Sequence, residues 1–178
     1  SNTKGSVTAV GFAAGRNNTG YGTLFLGEKA GENNTGNSSI ILAGGGFGSG
    51  TDNEGDDAII IGPDGAGDNN TGDDVVLIGH QAANTNTGNS VVIIGENAGG
   101  NNEGDDSILI GRRAGVYISS YTGFGGYNVS IGAESGAMLG GDYNTVLGHE
   151  AGEGASTSRS VLIGAQSFQG EANWSNPF

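Results

Sequence analysis

Three glycine turns are each followed by a pair of aspartates: Asp56-Asp57, Asp73-Asp74 and Asp105-Asp106. Carboxylates are the hard oxygen donors that Ca²⁺ takes. Two of them about 4.8 Å apart repel by roughly 1 kcal/mol in water, and a bound cation reverses that sign. These six residues are therefore candidate Ca²⁺ ligands, and Ca²⁺ is the one cofactor the sequence suggests. A solvated acidic edge is the structural alternative. Val116–Asn128 carries Tyr117, Tyr121, Phe124 and Tyr127. Aromatics on an insertion suit a binding loop that stacks on a glycan or receptor; a bulge packed back on the body, or a subunit contact, is the alternative. His80 and His149 are the only histidines and there is no cysteine, so catalytic triads and zinc sites lack their parts. The chain reads as a non-enzyme.

The elements that position these residues repeat. A short apolar run closing on glycine recurs at Val7–Gly11, Thr23–Gly27, Ile40–Gly44, Ala58–Gly62, Val75–Gly79, Val91–Gly95, Ser107–Gly111, Asn128–Gly132, Asn144–Gly148 and Ser160–Gly164. A near-constant period means a stacked architecture. Glycine supplies 38 of 178 residues, and at roughly 1 kcal/mol per helical glycine no helix of ordinary length can form. The expected fold is all-β: a parallel β-solenoid of about ten 16-residue coils. Each coil reads as a hydrophobic strand, a glycine turn, a second short strand of small residues, and an Asn-Gly turn. Asn18, Asn34, Asn53, Asn70, Asn86 and Asn102 share one turn column, where stacked amides can bond from coil to coil.

Counting back from each closing glycine, alternation puts positions one and three on one strand face and position two on the other. Position one holds Val10, Leu26, Ala43, Ile61, Ile78, Ile94, Ile110, Ile131, Leu147 and Ile163. Position three includes Ile41, Val76 and Val92, and position two includes Phe25, Leu42, Ile60, Leu77 and Ile93. Both faces are apolar. A coil buries only the face turned into itself, so the other needs a second layer. Without helices, that layer is a further copy of the chain or a partner sheet. Ile61, Ile78, Ile94, Ile110, Ile131, Ile163, Val76 and Val92 are the candidate subunit interface.

The runs NNTGDDVVLIGHQA (Asn69–Ala82) and NSVVIIGENAG (Asn89–Gly99) resemble the repeats of trimeric autotransporter adhesin heads and of related bacteriophage tail fibres. The resemblance covers about Gly5 to Ser167. It implies a left-handed parallel β-roll whose S-V-x-I-G strand lies at a trimer interior, which places Val92 and Ile94, Val129 and Ile131, and Val161 and Ile163 there. The present period is longer than that family's usual coil. The middle strand residue is also often large (Phe25, Ile60, Leu77, Ile93) where the family tends to place Ala, so other assemblies, such as a head-to-tail filament, stay open.

Residues 1–167 form the expected repeat domain. Residues 168–178 break the pattern and carry Trp174 and Phe178, as a cap or a segment docking on a neighbouring subunit. The net charge of −13 disfavours nucleic acid and anionic membranes as partners, and no apolar run reaches the roughly 18 residues of a membrane span. The sequence opens at Ser1 without Met, as in a processed form or a fragment. The functional expectation is an extracellular structural protein at a cell or virion surface: a self-associating fibre subunit or adhesin shaft, or else a glycan- or receptor-binding segment. Ice binding through Thr19, Thr35, Thr71 and Thr87 is a weaker reading, because Glu54 and Glu103 interrupt that column.

Overall fold

The structure, a computed structural model, describes residues 5–116 and 125–168. It is a parallel β-solenoid without a helix among those residues. The strands are β1 (Thr8–Val10), β2 (Leu24–Leu26), β3 (Ile40–Gly44), β4 (Ile59–Pro63), β5 (Val76–Ile78), β6 (Val92–Ile94), β7 (Ile108–Ile110), β8 (Val129–Ile131), β9 (Thr145–Leu147) and β10 (Val161–Ile163). They form one parallel sheet in sequence order. At about 4.8 Å per strand the rod is ~45 Å tall.

The second strand expected in each coil does not form. From the closing glycine onward, every second residue has positive φ: in the second coil Gly27 (119°), Lys29 (54°), Gly31 (60°) and Asn33 (58°). An extended strand needs negative φ at each position, so this half is a chain of turns. The positive-φ residues donate between coils: Lys29 N–H to the Phe12 carbonyl at 2.8 Å, Gly31 to Ser49 at 3.0 Å, Asn33 to Arg16 at 2.7 Å. The residues between them close turns within the coil, Glu32 N–H to Lys29 and Asn34 N–H to Gly31. Every other residue is thus committed to stacking without being a strand.

The middle residue of each strand points into the coil. Phe25, Ile41, Ile60, Leu77, Ile93, Leu109 and Val146 are fully buried, each contributing roughly 1.5–3 kcal/mol by its removal from water. The third coil corrects the count from the closing glycine. Ile40 pairs with Leu24, Ile41 with Phe25 and Leu42 with Leu26, so Ile41 points in, Leu42 points out, and Ala43 stands opposite Gly62. Core burial sets the register, because a slip by one residue would put Ile41 in water and Leu42 in the core. The surplus before β4 is taken up in the Gly44–Gly50 turn.

Across the coil from these aliphatic residues runs the asparagine column. Asn18, Asn34, Asn53, Asn70, Asn86 and Asn102 are all buried. Each Nδ2 from Asn34 onward donates to the Oδ1 of the preceding Asn at 2.8 Å, and to the carbonyl two residues further along its own coil. Among the described residues the ladder stops at Asn102, whose buried Oδ1 has no hydrogen-bond partner there. In the coil of β8 the cross-section inverts. Ser130 takes the inward strand position and Leu139 the position opposite, both buried. Asparagine moves to the column before the strand, where Asn144 N–H donates to Asn128 Oδ1 at 2.8 Å and Ser160 N–H to Asn144 Oδ1 at 3.1 Å.

Candidate functional site

The outward residues of the ten strands stand in two parallel columns. One is Thr8, Leu24, Ile40, Ile59, Val76, Val92, Ile108, Val129, Thr145 and Val161; the other is Val10, Leu26, Leu42, Ile61, Ile78, Ile94, Ile110, Ile131, Leu147 and Ile163. All but Thr8 and Thr145 are Val, Leu or Ile. Neighbours within a column cover one another, so Val76, Ile78, Val92, Ile94, Ile110 and Ile131 are half-buried, as is Ile61. Exposure rises toward the ends, to 48% at Leu26 and 66% at Ile163. Columns about 7 Å apart along ~45 Å of sheet make a stripe on the order of 400–500 Å², at the upper limit of what a soluble monomer exposes. Where β3 and β4 run longer, Val10, Leu26, Leu42, Ala43, Ile61 and Pro63 line a shallow apolar groove of about 650 Å³ continuous with the stripe. The candidate interface residues therefore share one surface, whereas Trp174 and Phe178 lie outside the described residues.

The aspartate pairs have separate roles. Asp56 Oδ1 accepts the Asn37 N–H at 2.7 Å, Asp73 Oδ1 the Asp56 N–H at 2.8 Å, and Asp105 Oδ1 the Asn89 N–H at 2.7 Å. Asn37 and Asn89 act in the same way, each accepting the backbone N–H of its column-mate one coil earlier. The first aspartate of each pair is thus a backbone staple between coils. The second, Asp57, Asp74 or Asp106, sits at positive φ and is exposed. Asp56-Asp57 and Asp73-Asp74 lie in adjacent coils, while Asp105-Asp106 is separated from them by the coil of Asn89 and Ser90. Among the described residues no three His, Cys, Asp or Glu side chains form a group that could hold a metal ion.

Of the aromatic candidates, Tyr117, Tyr121 and Phe124 lie outside the described residues. Tyr127 is exposed and stacks on Tyr143, with ring centroids 4.7 Å apart and planes within 5°. The Arg159 guanidinium lies 5.8 Å from the Tyr143 centroid, a cation–π distance. Asp106, Tyr143 and the other nearby acid Asp105, with some desolvation, hold the Tyr127 phenol above its ordinary range, and Asp106 is the largest cause. With Glu103, Asp105 and Asp142 the two rings line an open groove of about 330 Å³. Tyr143 thus carries Tyr127 on its ring and Arg159 at cation–π distance, and both tyrosines are exposed. Tyr143 and Arg159 were not apparent as partners of Tyr127 from the sequence; the signal was their common place before β8, β9 and β10, sixteen residues apart.

Elsewhere on the surface a few charged residues pair, two of the groups between coils. Arg16 meets Glu32, and Arg112 and Arg113 converge on Glu134 at 2.6 and 3.7 Å. His149 lies 3.5 Å from Glu150. Exposed pairs of this kind are worth ~0–1 kcal/mol. No described helix is long and apolar enough to cross a membrane.

Known protein families, curated proteins and solved structures offer no match to this chain. Its function has to be argued from the geometry of the outward face.

Proposed function

We propose that the chain is a non-enzymatic structural protein of a cell or virion surface, a β-solenoid rod that associates with copies of itself as a fibre subunit or adhesin shaft. The supporting observation is the outward sheet face, aliphatic at every position but Thr8 and Thr145 and unpartnered among the described residues. Burying the exposed part of one such side chain contributes roughly 1 kcal/mol. Association costs ~4–15 kcal/mol, and a stripe of aliphatic side chains running the length of the rod is the kind of surface whose burial offsets that cost. A second copy suits the face because its flat, repeated rows of branched side chains are complementary to themselves at any matched height.

Ile94→Asp tests this at mid-rod. Light scattering is expected to give an oligomer for the parent chain, and a monomer with an unchanged far-ultraviolet spectrum for the variant. A parent chain that stays monomeric at every accessible concentration overturns the proposal.

A further inference from the structure

Along the chain of turns one column reads Arg16, Glu32, Thr51, Asp68, Asn84, Gly100 and Val116 from the first coil to the seventh. Its carbonyls take the same inter-coil hydrogen bond, from Asn33 N–H to Arg16 through Asn101 N–H to Asn84 and Met138 N–H to Val116. Gly100 is the member without a side chain. The backbone does not demand glycine there. Its neighbour Gly99 has a φ of 58°, whereas Gly100 is outside the positive-φ region. A Cβ on Gly100 would meet one described atom within 4 Å, Val116 Cγ2 at 3.2 Å. The missing rung leaves a notch between Asn84 and Val116, which stand two coils, or about 9.6 Å, apart.

Gln81, Asn84, Asn97, Gly100, Asn101 and Val116 line the open groove that results, about 320 Å³ in volume. That is the lower end of the range for small-molecule sites. No lining residue is charged, on a chain whose net charge is −13. The lining is instead rich in amides. Elsewhere in the same columns such amides are used between coils. In the column of Asn101, Asn17 Nδ2 donates to Asn33 Oδ1 at 3.0 Å and Asn33 Nδ2 to Asp52 Oδ1 at 2.9 Å. In the column of Gln81 and Asn97, Gln166 Nε2 donates to Glu150 Oε2 at 2.7 Å. Among the described residues the side chains of Gln81, Asn97 and Asn101 make no hydrogen bond, and Asn84 Oδ1 accepts the Thr85 hydroxyl at 3.2 Å.

A primary amide offers one acceptor and two donors side by side, and each hydroxyl of a sugar both donates and accepts. Adjacent ring hydroxyls therefore match an amide on both counts. A pyranose ring is about as thick as the missing rung, and its C–H face suits the Val116 methyls. An anion or an organic cation would find no opposite charge in this lining. We propose that the Gly100 notch is a binding site for a neutral sugar unit, held by the amides of Gln81, Asn97 and Asn101. It shares no residue with the outward sheet face and does not rest on self-association.

Saturation-transfer difference NMR on the full chain is the test, because the signal is read on the sugar whatever the size of the oligomer. The probes are maltose, cellobiose, lactose and N,N′-diacetylchitobiose, with N-acetylglycinamide standing in for peptide backbone. A few hydrogen bonds in an open groove give a Kd on the order of 1 mM. At least one disaccharide is expected to receive saturation and to reach a plateau by ~20 mM. Gly100→Asn restores a side chain like that of Asn84 one coil earlier. Asn97→Ala/Asn101→Ala removes two amides that hold nothing else in the described fold. Each variant is expected to weaken binding by about tenfold or more, with an unchanged far-ultraviolet spectrum. No saturable transfer to any of the four sugars, or a bound sugar that the folded variants retain, overturns the proposal. Equal transfer to N-acetylglycinamide, lost in the same variants, assigns the notch to peptide backbone and overturns it as well. If Gly100→Asn does not fold, the double amide variant decides.

Discussion

Replacing Asn70 by Ala isolates the asparagine ladder from the rest of the core. Asn70 is fully buried. Its Nδ2 donates to Asn53 Oδ1 and to the Gly72 carbonyl, both at 2.8 Å, and its Oδ1 accepts from Asn86 Nδ2 at 2.8 Å. Truncation removes three hydrogen bonds. It strands Asn53 Oδ1, which loses its donor from the next coil, and the Gly72 carbonyl loses its side-chain donor. Asn86 keeps one partner, the Gly88 carbonyl. At ~1–3 kcal/mol for each buried polar group left unpaired, the loss is ~3–6 kcal/mol, a large part of a typical domain's ~5–15 kcal/mol. Asn102→Ala is the internal control. Its Oδ1 has no partner among the described residues, so the bonds to Asn86 and Gly104 are the ones lost, and the expected cost is about two-thirds of that for Asn70. Thr71→Ala, at an exposed neighbour, is expected to change stability by less than ~0.5 kcal/mol. Urea unfolding at one fixed protein concentration reads all three. An Asn70→Ala variant within ~1 kcal/mol of the parent, or no less stable than Asn102→Ala, would refute the ladder as a source of stability.

Other outcomes follow from particular residues. Burial raises the Asp68 carboxyl pKa above its ordinary value, although the Thr51 amide, which donates to it at 2.9 Å, pulls the other way. A carboxyl with a raised folded pKa favours the fold most below its unfolded pKa, near 3.8, and that contribution is lost as pH rises through the folded value. Asp68→Asn is therefore expected to stabilise the rod at pH ~7 and to gain little at pH ~3; a larger gain at the acid end would contradict the sign. Ser130 and Leu139 flank the same Gly136. Ser130→Ile is expected to overpack by ~1–3 kcal/mol, and Leu139→Asn to bury an unpaired amide. The double variant recreates the Ile93/Asn102 cross-section and should recover part of both losses. Simple additivity in denaturant unfolding would show that the two positions do not exchange roles.

The period, the strands, their alternation and the asparagine ladder were legible in the sequence because each is a local rule repeated from coil to coil, the strands ten times and the ladder asparagine six. An apolar triplet between turns can only alternate. An Asn at a fixed offset recurs above its own copy once the coils stack. The paired aspartates were legible as a pattern but not in their roles, because only stacking decides which carboxylate meets a backbone N–H one coil away. The same limit hid the Tyr127–Tyr143–Arg159 column, whose members are far apart in sequence and neighbours in space.

What the sequence by itself determined is thus the one-dimensional content of the fold: a repeating coil, apolar on both strand faces, with no room for a helix. The tertiary structure decided the rest. It made the small-residue half a chain of alternating-φ turns, because residues such as Lys29 and Asn33 reach their inter-coil partners only at positive φ. It set the third coil by the burial of Ile41, not by the position of its glycine.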